Sequence, residues 1–248
     1  MSTLILALAA GAVVGLALGG LGGGGSVLAV PALIYLLGFT PAAATTAGLL
    51  IVIATSLTGL VAHAGEGRVR WRTGGLFAAA GIVPAAVAGA LSARIPSGVL
   101  TAAFAGLAVV AAVRMLRPRT GPAPQDTVSA GRAARAGAGL GAVTGFLGVG
   151  GGFLAVPTLV TVVAVPMSEA VGTSLLVITV NSTAALVTRL ATPTALDWAV
   201  IAPFTATAVL GAWDGRRLAA KVSTAALQRI FGAALLAVAV FMLVDAVV

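Results

Sequence analysis

Two glycine-rich runs, residues 19–25 and 148–152, are the part of the chain whose composition points most directly to chemistry. Each run precedes an apolar segment, and a helix that begins there presents unpaired N–H groups and a partial positive charge. Such helix ends bind anions. We therefore predict that an anionic substrate contacts Gly22, Gly23, Gly24, Gly25, Ser26, Gly148, Gly150, Gly151 and Gly152. The alternative is that the glycines only allow helices to pack closely.

Hydroxyl and amide side chains in two later apolar segments form a second candidate set. These groups can donate hydrogen bonds to an anion without adding charge. Thr55 of the first segment occupies the same place in an internal repeat as Asn181 of the second. The predicted substrate contacts are Thr45, Thr46, Thr55, Ser56, Thr173, Ser174, Asn181 and Ser182. The alternative is that they bond to a neighbouring helix or to a carbonyl of their own helix.

The single histidine, His63, corresponds in the repeat to Arg189, and each stands at the end of an apolar segment. Such a position suits a gate that contacts the substrate. It also suits a side chain that reaches water at the membrane interface, and both interpretations stay open. A lone histidine cannot form a metal site, and the chain has no cysteine. We therefore predict neither a metal ion nor a cofactor.

The positions of the charged residues argue against an enzyme and against a nucleic-acid-binding protein. All six acidic residues lie in loops or near segment ends, so the pattern offers no paired carboxylates and no Ser-His-Asp set. The 14 basic residues lie almost wholly between apolar segments, where cytoplasmic loops of membrane proteins collect them. We predict that the chain is not an enzyme, and that its partners are the lipid bilayer and a small anion.

The apolar composition requires a membrane to position these residues. Of 248 residues, 60% are hydrophobic and 8% are charged, with a mean hydropathy of +1.14. A soluble domain does not have this balance. Several apolar stretches are long enough to cross a hydrocarbon core of roughly 30 Å. The sequence therefore predicts an all-α integral membrane protein.

An internal repeat organises the apolar segments. Residues 21–63 match residues 147–189 without a gap, at a constant offset of 126. Five segments follow one another in each half, and Thr40 and Ser168 are the predicted N-caps of the third segments. We predict repeats at 1–116 and 134–248, joined by a cytoplasmic linker at 117–133. The predicted segments are 3–18, 26–38, 41–64, 73–93, 98–116, 134–147, 153–165, 168–188, 197–213 and 224–247.

The basic residues also predict how the halves are oriented. If each half crosses an odd number of times, 12 of the 14 basic residues fall on the cytoplasmic side. A parallel repeat leaves a poorer division of nine to five. We therefore predict an inverted repeat, in which the short first two segments of each half bring their glycine-rich tips together near the membrane midplane. Whether those short segments span or re-enter stays open.

Several of these residues also carry a resemblance to a known family. The stretches 22–31 and 148–157, the run 169–176 and the pair Asp197-Trp198 are similar to the sulfite exporter TauE/SafE family of membrane permeases. The resemblance covers nearly the whole chain. It implies transport of sulfite or a related organosulfonate anion across the plasma membrane. The alternative is a membrane scaffold or accessory subunit with no transport activity.

Overall fold

The computed structural model describes residues 2–21, 24–92, 97–116, 129–147, 152–189 and 196–247. Every regular element in these ranges is helical, and the ten α-helices divide evenly between the two predicted halves. The first half contains α1 (Ser2–Leu21), α2 (Gly24–Pro31), α3 (Pro41–Gly65), α4 (Trp71–Ser92) and α5 (Ser97–Leu116). The second contains α6 (Ala130–Leu147), α7 (Gly152–Thr161), α8 (Met167–Arg189), α9 (Trp198–Ala219) and α10 (Thr224–Val247).

The first segment of each half is longer than we predicted. Helix α1 has 20 residues and α6 has 18, so the expectation that both are short is wrong. In contrast, α2 and α7 have only 8 and 10 residues, and a π-helical turn at Ala32–Leu36 continues α2. At 1.5 Å per residue, α2 and α7 are about 12 and 15 Å long. Among the described helices, α2 and α7 are therefore the ones too short to cross a hydrocarbon core.

The two predicted helix caps have different outcomes. Thr40 caps α3 as predicted, since its hydroxyl oxygen accepts from the Ala43 N–H at 3.4 Å. The prediction for Ser168 is wrong, because α8 begins one residue earlier and Ser168 lies inside its first turn. The carbonyl of Pro166 instead accepts the N–H group of Ala170 at 2.8 Å.

Helices α3 and α8 form the central pair of the bundle and run antiparallel. Ser56 in the middle of α3 hydrogen-bonds Thr179 in the middle of α8, at 2.9 Å. One turn further along α3, Gly59 faces Leu175, which lies one turn earlier in α8. At the end of α3, His63 packs against Gly172, near the start of α8. The residue numbers thus rise on one helix as they fall on the other.

Glycines bring two further helix pairs into backbone contact. Gly15 and Gly19 of α1 lie so close to α9 that an added Cβ would overlap the carbonyl oxygens of Ala208 and Ala212. This pair is parallel, because the numbers rise together. Helix α6 packs on α4 in the same way, with Gly141 against Gly81. Small residues are the usual means by which helices approach closely inside a bilayer.

The surface of the bundle is apolar and part of its interior is polar. Large apolar side chains such as Val61, Val83 and Leu210 are about two-thirds exposed, whereas Thr55, Ser56 and Thr173 are fully buried. This is the arrangement expected where lipid is the solvent. Within the described ranges, three helical stretches are long and apolar enough to cross a membrane: Thr3–Gly20, Ala42–Gly65 and Met167–Val187. The chain is a helical membrane protein.

Candidate functional site

A polar seam runs along the contact between α3 and α8. It is built around the hydrogen bond between Ser56 and Thr179, and Thr55, Asn181 and Ser182 lie within one turn of that contact along their helices. The five residues therefore lie at the same level of the bundle, because each helix rises only about 5.4 Å per turn. Ser182 is 2% exposed and is the counterpart of Ser56 in the repeat. The seam therefore has a serine at the same repeat position in each of its two helices.

Thr179 is the member of the seam that our set of predicted contacts missed. Its hydroxyl forms the hydrogen bond with Ser56 that joins the two helices. The available signal was its spacing from Ser182, since residues three apart in a helix lie on the same face. Thr179 therefore belongs to the same face of α8 as a residue that the sequence did identify.

Most hydroxyls predicted as substrate contacts already donate within their own helix. Thr55 donates to the Ile51 carbonyl at 2.7 Å, and Ser174 donates to the Val171 carbonyl at 2.7 Å. Thr45 and Thr46 each donate to the Ala42 carbonyl at 3.0 Å. These four side chains thus bond to carbonyls of their own helices, and their contact with a substrate stays a prediction. Their oxygens can still accept hydrogen bonds, but their protons are engaged.

Asn181 is the exception in the seam. Its side-chain Oδ1 atom is buried and has no hydrogen-bond partner among the described residues. An unsatisfied buried polar atom costs about 1–3 kcal/mol, so such atoms call for a functional explanation. Rotation of the amide exchanges its oxygen with its NH₂ group, which makes the same position able to donate. Asn181 therefore stays a predicted substrate contact, and its side chain has a buried polar atom that lacks a partner.

Thr173 joins two parts of the bundle through its side-chain oxygen. Its oxygen accepts the backbone N–H of Arg70 at 3.0 Å, and the Arg70 side chain forms an ion pair with Glu169. These contacts attach the loop between α3 and α4 to the first turns of α8. Thr173 therefore fixes how the two central helices meet at this end.

The glycine-rich runs are described only where they enter helices. Gly24, Gly25 and Ser26 form the first turn of α2, and Gly152 is the first residue of α7. The two short helices contact each other. Five of the predicted contacts lie outside the described residues: Gly22, Gly23, Gly148, Gly150 and Gly151.

His63 is buried, so its predicted position in water at the membrane interface is wrong. It is 4% exposed and lines a cavity of about 280 Å³ together with Arg68, Ser168 and Arg216. Neither ring nitrogen has a hydrogen-bond partner in the described structure, although the Gly19 backbone approaches the ring. The role of His63 as a gate stays a prediction. Its counterpart Arg189 is the last residue of α8, and its role also stays a prediction.

Glu66 links two arginines at this cavity. Its carboxylate lies 3.1 Å from the Arg68 guanidinium and also forms an ion pair with Arg216 of α9. This ion pair could not be predicted from local sequence, because the contact joins residues 150 positions apart in the chain. The described residues contain no group of three or more His, Cys, Asp or Glu side chains placed to hold a metal ion.

Comparison with known proteins identifies the family. The family model described as "Sulfite exporter TauE/SafE" matches residues 7–242. The chain belongs to the TauE/SafE family. Two relatives come from Xylella fastidiosa, and each is named "Probable membrane transporter protein". The one from strain 9a5c is 34% identical, over 98% of this chain and 96% of the relative. The one from strain Temecula1 is 33% identical over the same shares.

Membership in the TauE/SafE family confirms the resemblance inferred from the glycine-rich runs and from residues 169–176. The family and these relatives are membrane transport proteins rather than enzymes, which agrees with the prediction that the chain is not an enzyme. The match extends through both halves, so it includes the polar seam of α3 and α8.

Proposed function

We propose that this TauE/SafE protein is a multi-pass transporter of the plasma membrane that carries a small anion along the polar seam between α3 and α8. The observation that carries the proposal is the buried, unpaired amide oxygen of Asn181, two residues along α8 from the Thr179 that bonds Ser56. Polar groups that face the interior of a membrane protein commonly mark substrate paths. The printed family name favours sulfite, or a related sulfonate, as the anion.

The proposal includes an inverted repeat, in which residues 1–116 and 134–248 have opposite orientations. Its support is that α3 and α8 are counterparts at an offset of 126 and run antiparallel. Along these helices, the level at which a residue of α3 meets its repeat counterpart in α8 is close to Thr55 and Asn181. Helix α1 packs parallel to α9, and their counterparts in the repeat, α6 and α4, pack parallel to each other in the same way. Both patterns are expected of two halves related by a twofold axis in the membrane plane.

The same arrangement suggests how the anion is bound. The first turns of α2 and α7, at Gly24 and Gly152, belong to short helices that contact each other. Their N–H groups and helix dipoles favour negative charge, and Asn181 supplies an uncharged donor. Alternating access then moves one half against the other around this site. The linker at 117–133 is cytoplasmic in this account.

Flux measurements test the proposed function. The purified protein is reconstituted in liposomes, and entry of sulfite, sulfate, thiosulfate, sulfoacetate, acetate and chloride is measured one at a time. We expect sulfite or sulfoacetate to enter faster than acetate and chloride, and faster than into protein-free liposomes. If every anion enters at the protein-free rate, the chain has no transport activity by itself, and the scaffold alternative replaces our proposal.

A further inference from the structure

The cavity beside His63 lies at one end of the bundle, away from the polar seam. It forms where the end of α3, the start of α8 and the last turns of α9 meet. His63 is separated from Ser56 by about two helical turns, or about 10 Å along α3. The volume of about 280 Å³ exceeds the roughly 30 Å³ share of a single water molecule several times. A compact polyatomic ion with some water can therefore occupy it.

The charges around this cavity favour an anion. Arg68 and Arg216 both line it, and the single carboxylate of Glu66 is shared between them. The other nearby acid, Glu169, is paired with Arg70. The named charges around the cavity therefore include one more guanidinium than carboxylate. Ser168, in the first turn of α8, adds a hydroxyl and the positive end of a helix dipole.

Unpaired buried atoms point to a ligand at the same place. Arg216 bonds Glu66 through its terminal nitrogen, but its Nε atom is buried with no partner in the described residues. The ring nitrogens of His63, which is only 4% exposed, also have no hydrogen bond of good geometry among the described residues, although the Gly19 backbone lies close to the ring. A neutral imidazole has one N–H group, and the guanidinium Nε is always a donor. Arg216 therefore brings a buried donor without a partner to the residues that line this cavity, and His63 brings a second buried polar group.

We propose that this cavity is a second anion site, which binds a compact oxyanion such as sulfite, sulfate or phosphate through Arg216, Arg68, His63 and Ser168. The existence of the site does not depend on transport. Its role, which is to bind an anion at one end of the transport path, rests on the proposed function. The oxyanion can come from solution or from the phosphate of an anionic lipid headgroup, since the two share the same chemistry.

Binding of radiolabelled sulfate to the purified protein in detergent tests the site. We expect saturable binding to the wild type, and competition by sulfite and phosphate. Arg216→Gln is expected to weaken binding by about tenfold or more, because it removes a charge-assisted hydrogen bond. Arg217→Gln is the matched control. Arg217 carries the same charge on the next residue, but it is 64% exposed and pairs with Asp214 instead.

A second variant separates binding from folding. His63→Leu removes two unpaired nitrogens and leaves an apolar side chain of similar size, so we expect it to fold at least as well as the wild type. Its affinity for sulfate is expected to fall about tenfold. Repeating the measurement in nanodiscs of phosphatidylcholine, with and without phosphatidylglycerol, distinguishes the sources. Competition by phosphatidylglycerol assigns the site to a lipid headgroup, and its absence assigns it to a free anion.

Two results overturn the second site: no saturable binding of sulfate or phosphate to the wild type, or equal weakening by Arg216→Gln and Arg217→Gln. These outcomes are distinct from failure of the proposed function. If sulfate binding depends on Arg216 but the protein shows no flux, the proposed transport is wrong and the second site stands. If the protein shows flux but its sulfate binding does not change when Arg216 or His63 is replaced, the second site is wrong and the proposed transport stands.

Discussion

An Asn181→Leu variant is expected to fold normally and to carry the anion about ten- to a hundredfold more slowly than the wild type. Leucine has a similar size, and it removes an amide that has a buried, unpaired oxygen. Stability should therefore be unchanged or higher. The loss of flux follows from the hydrogen bond that the amide makes to a charged substrate, which contributes about 1.5–3 kcal/mol. Initial rates of entry into proteoliposomes measure the effect.

Thr183→Val is the matched control for this experiment. Thr183 lies two residues further along α8, is exposed, and donates to the Thr179 carbonyl of its own helix at 2.7 Å. We expect its flux to equal that of the wild type. If Asn181→Leu transports the anion at the wild-type rate, the seam is not part of the transport path. A lower melting temperature in that variant would instead assign Asn181 a structural role.

A Gly141→Val variant is expected to disrupt the packing of α6 on α4. A Cβ atom at this position would overlap the carbonyl oxygen of Gly81, and backbone cannot move aside as a flexible side chain can. Overpacking of this kind costs about 3 kcal/mol or more, which corresponds to a melting temperature lower by about 6–12 °C. Thermal unfolding of the purified protein, together with the yield of monodisperse protein, measures the loss.

Gly139→Val controls for the presence of valine in the same helix. Gly139 lies two residues from Gly141, is exposed, and has no atom within 4 Å of an added Cβ. The intrinsic cost of valine in a helix is therefore similar, and only the contact with α4 differs. We expect Gly139→Val to purify and melt close to the wild type. Equal losses in the two variants would contradict the close packing of α6 on α4.

The sequence predicted the helices well because apolar length decides where a chain crosses a bilayer. It failed at the end of α1, which continues three residues beyond the predicted residue 18, and at the start of α6, which begins four residues before the predicted residue 134. Gly19 and Gly20 continue α1 because the backbone of α9 packs against them, and this contact outweighs their low helix propensity. A contact between residues so far apart in the chain leaves no trace in local composition.

The candidate site was only partly predictable for a related reason. Equivalent positions in the repeat identified Thr55 and Asn181 as a pair. Sequence could not decide whether a hydroxyl donates to its own helix or to a substrate, since both need the same residue. The burial of His63 depends on Arg216 and the last turns of α9. From the sequence, its position at the end of an apolar segment suited both a gate and a side chain that reaches water.

The central claim is that two inverted halves meet at the crossing of α3 and α8, and labelling of single cysteines tests it most directly. The protein has no native cysteine, so each introduced thiol reports alone. Suitable positions are Thr3, Gly131 and Lys221, all exposed. In intact cells, an impermeant maleimide is expected to label Thr3→Cys, and to label Gly131→Cys and Lys221→Cys only after the membrane is opened. Labelling of Lys221→Cys from outside, with Gly131→Cys protected, would contradict the inverted repeat.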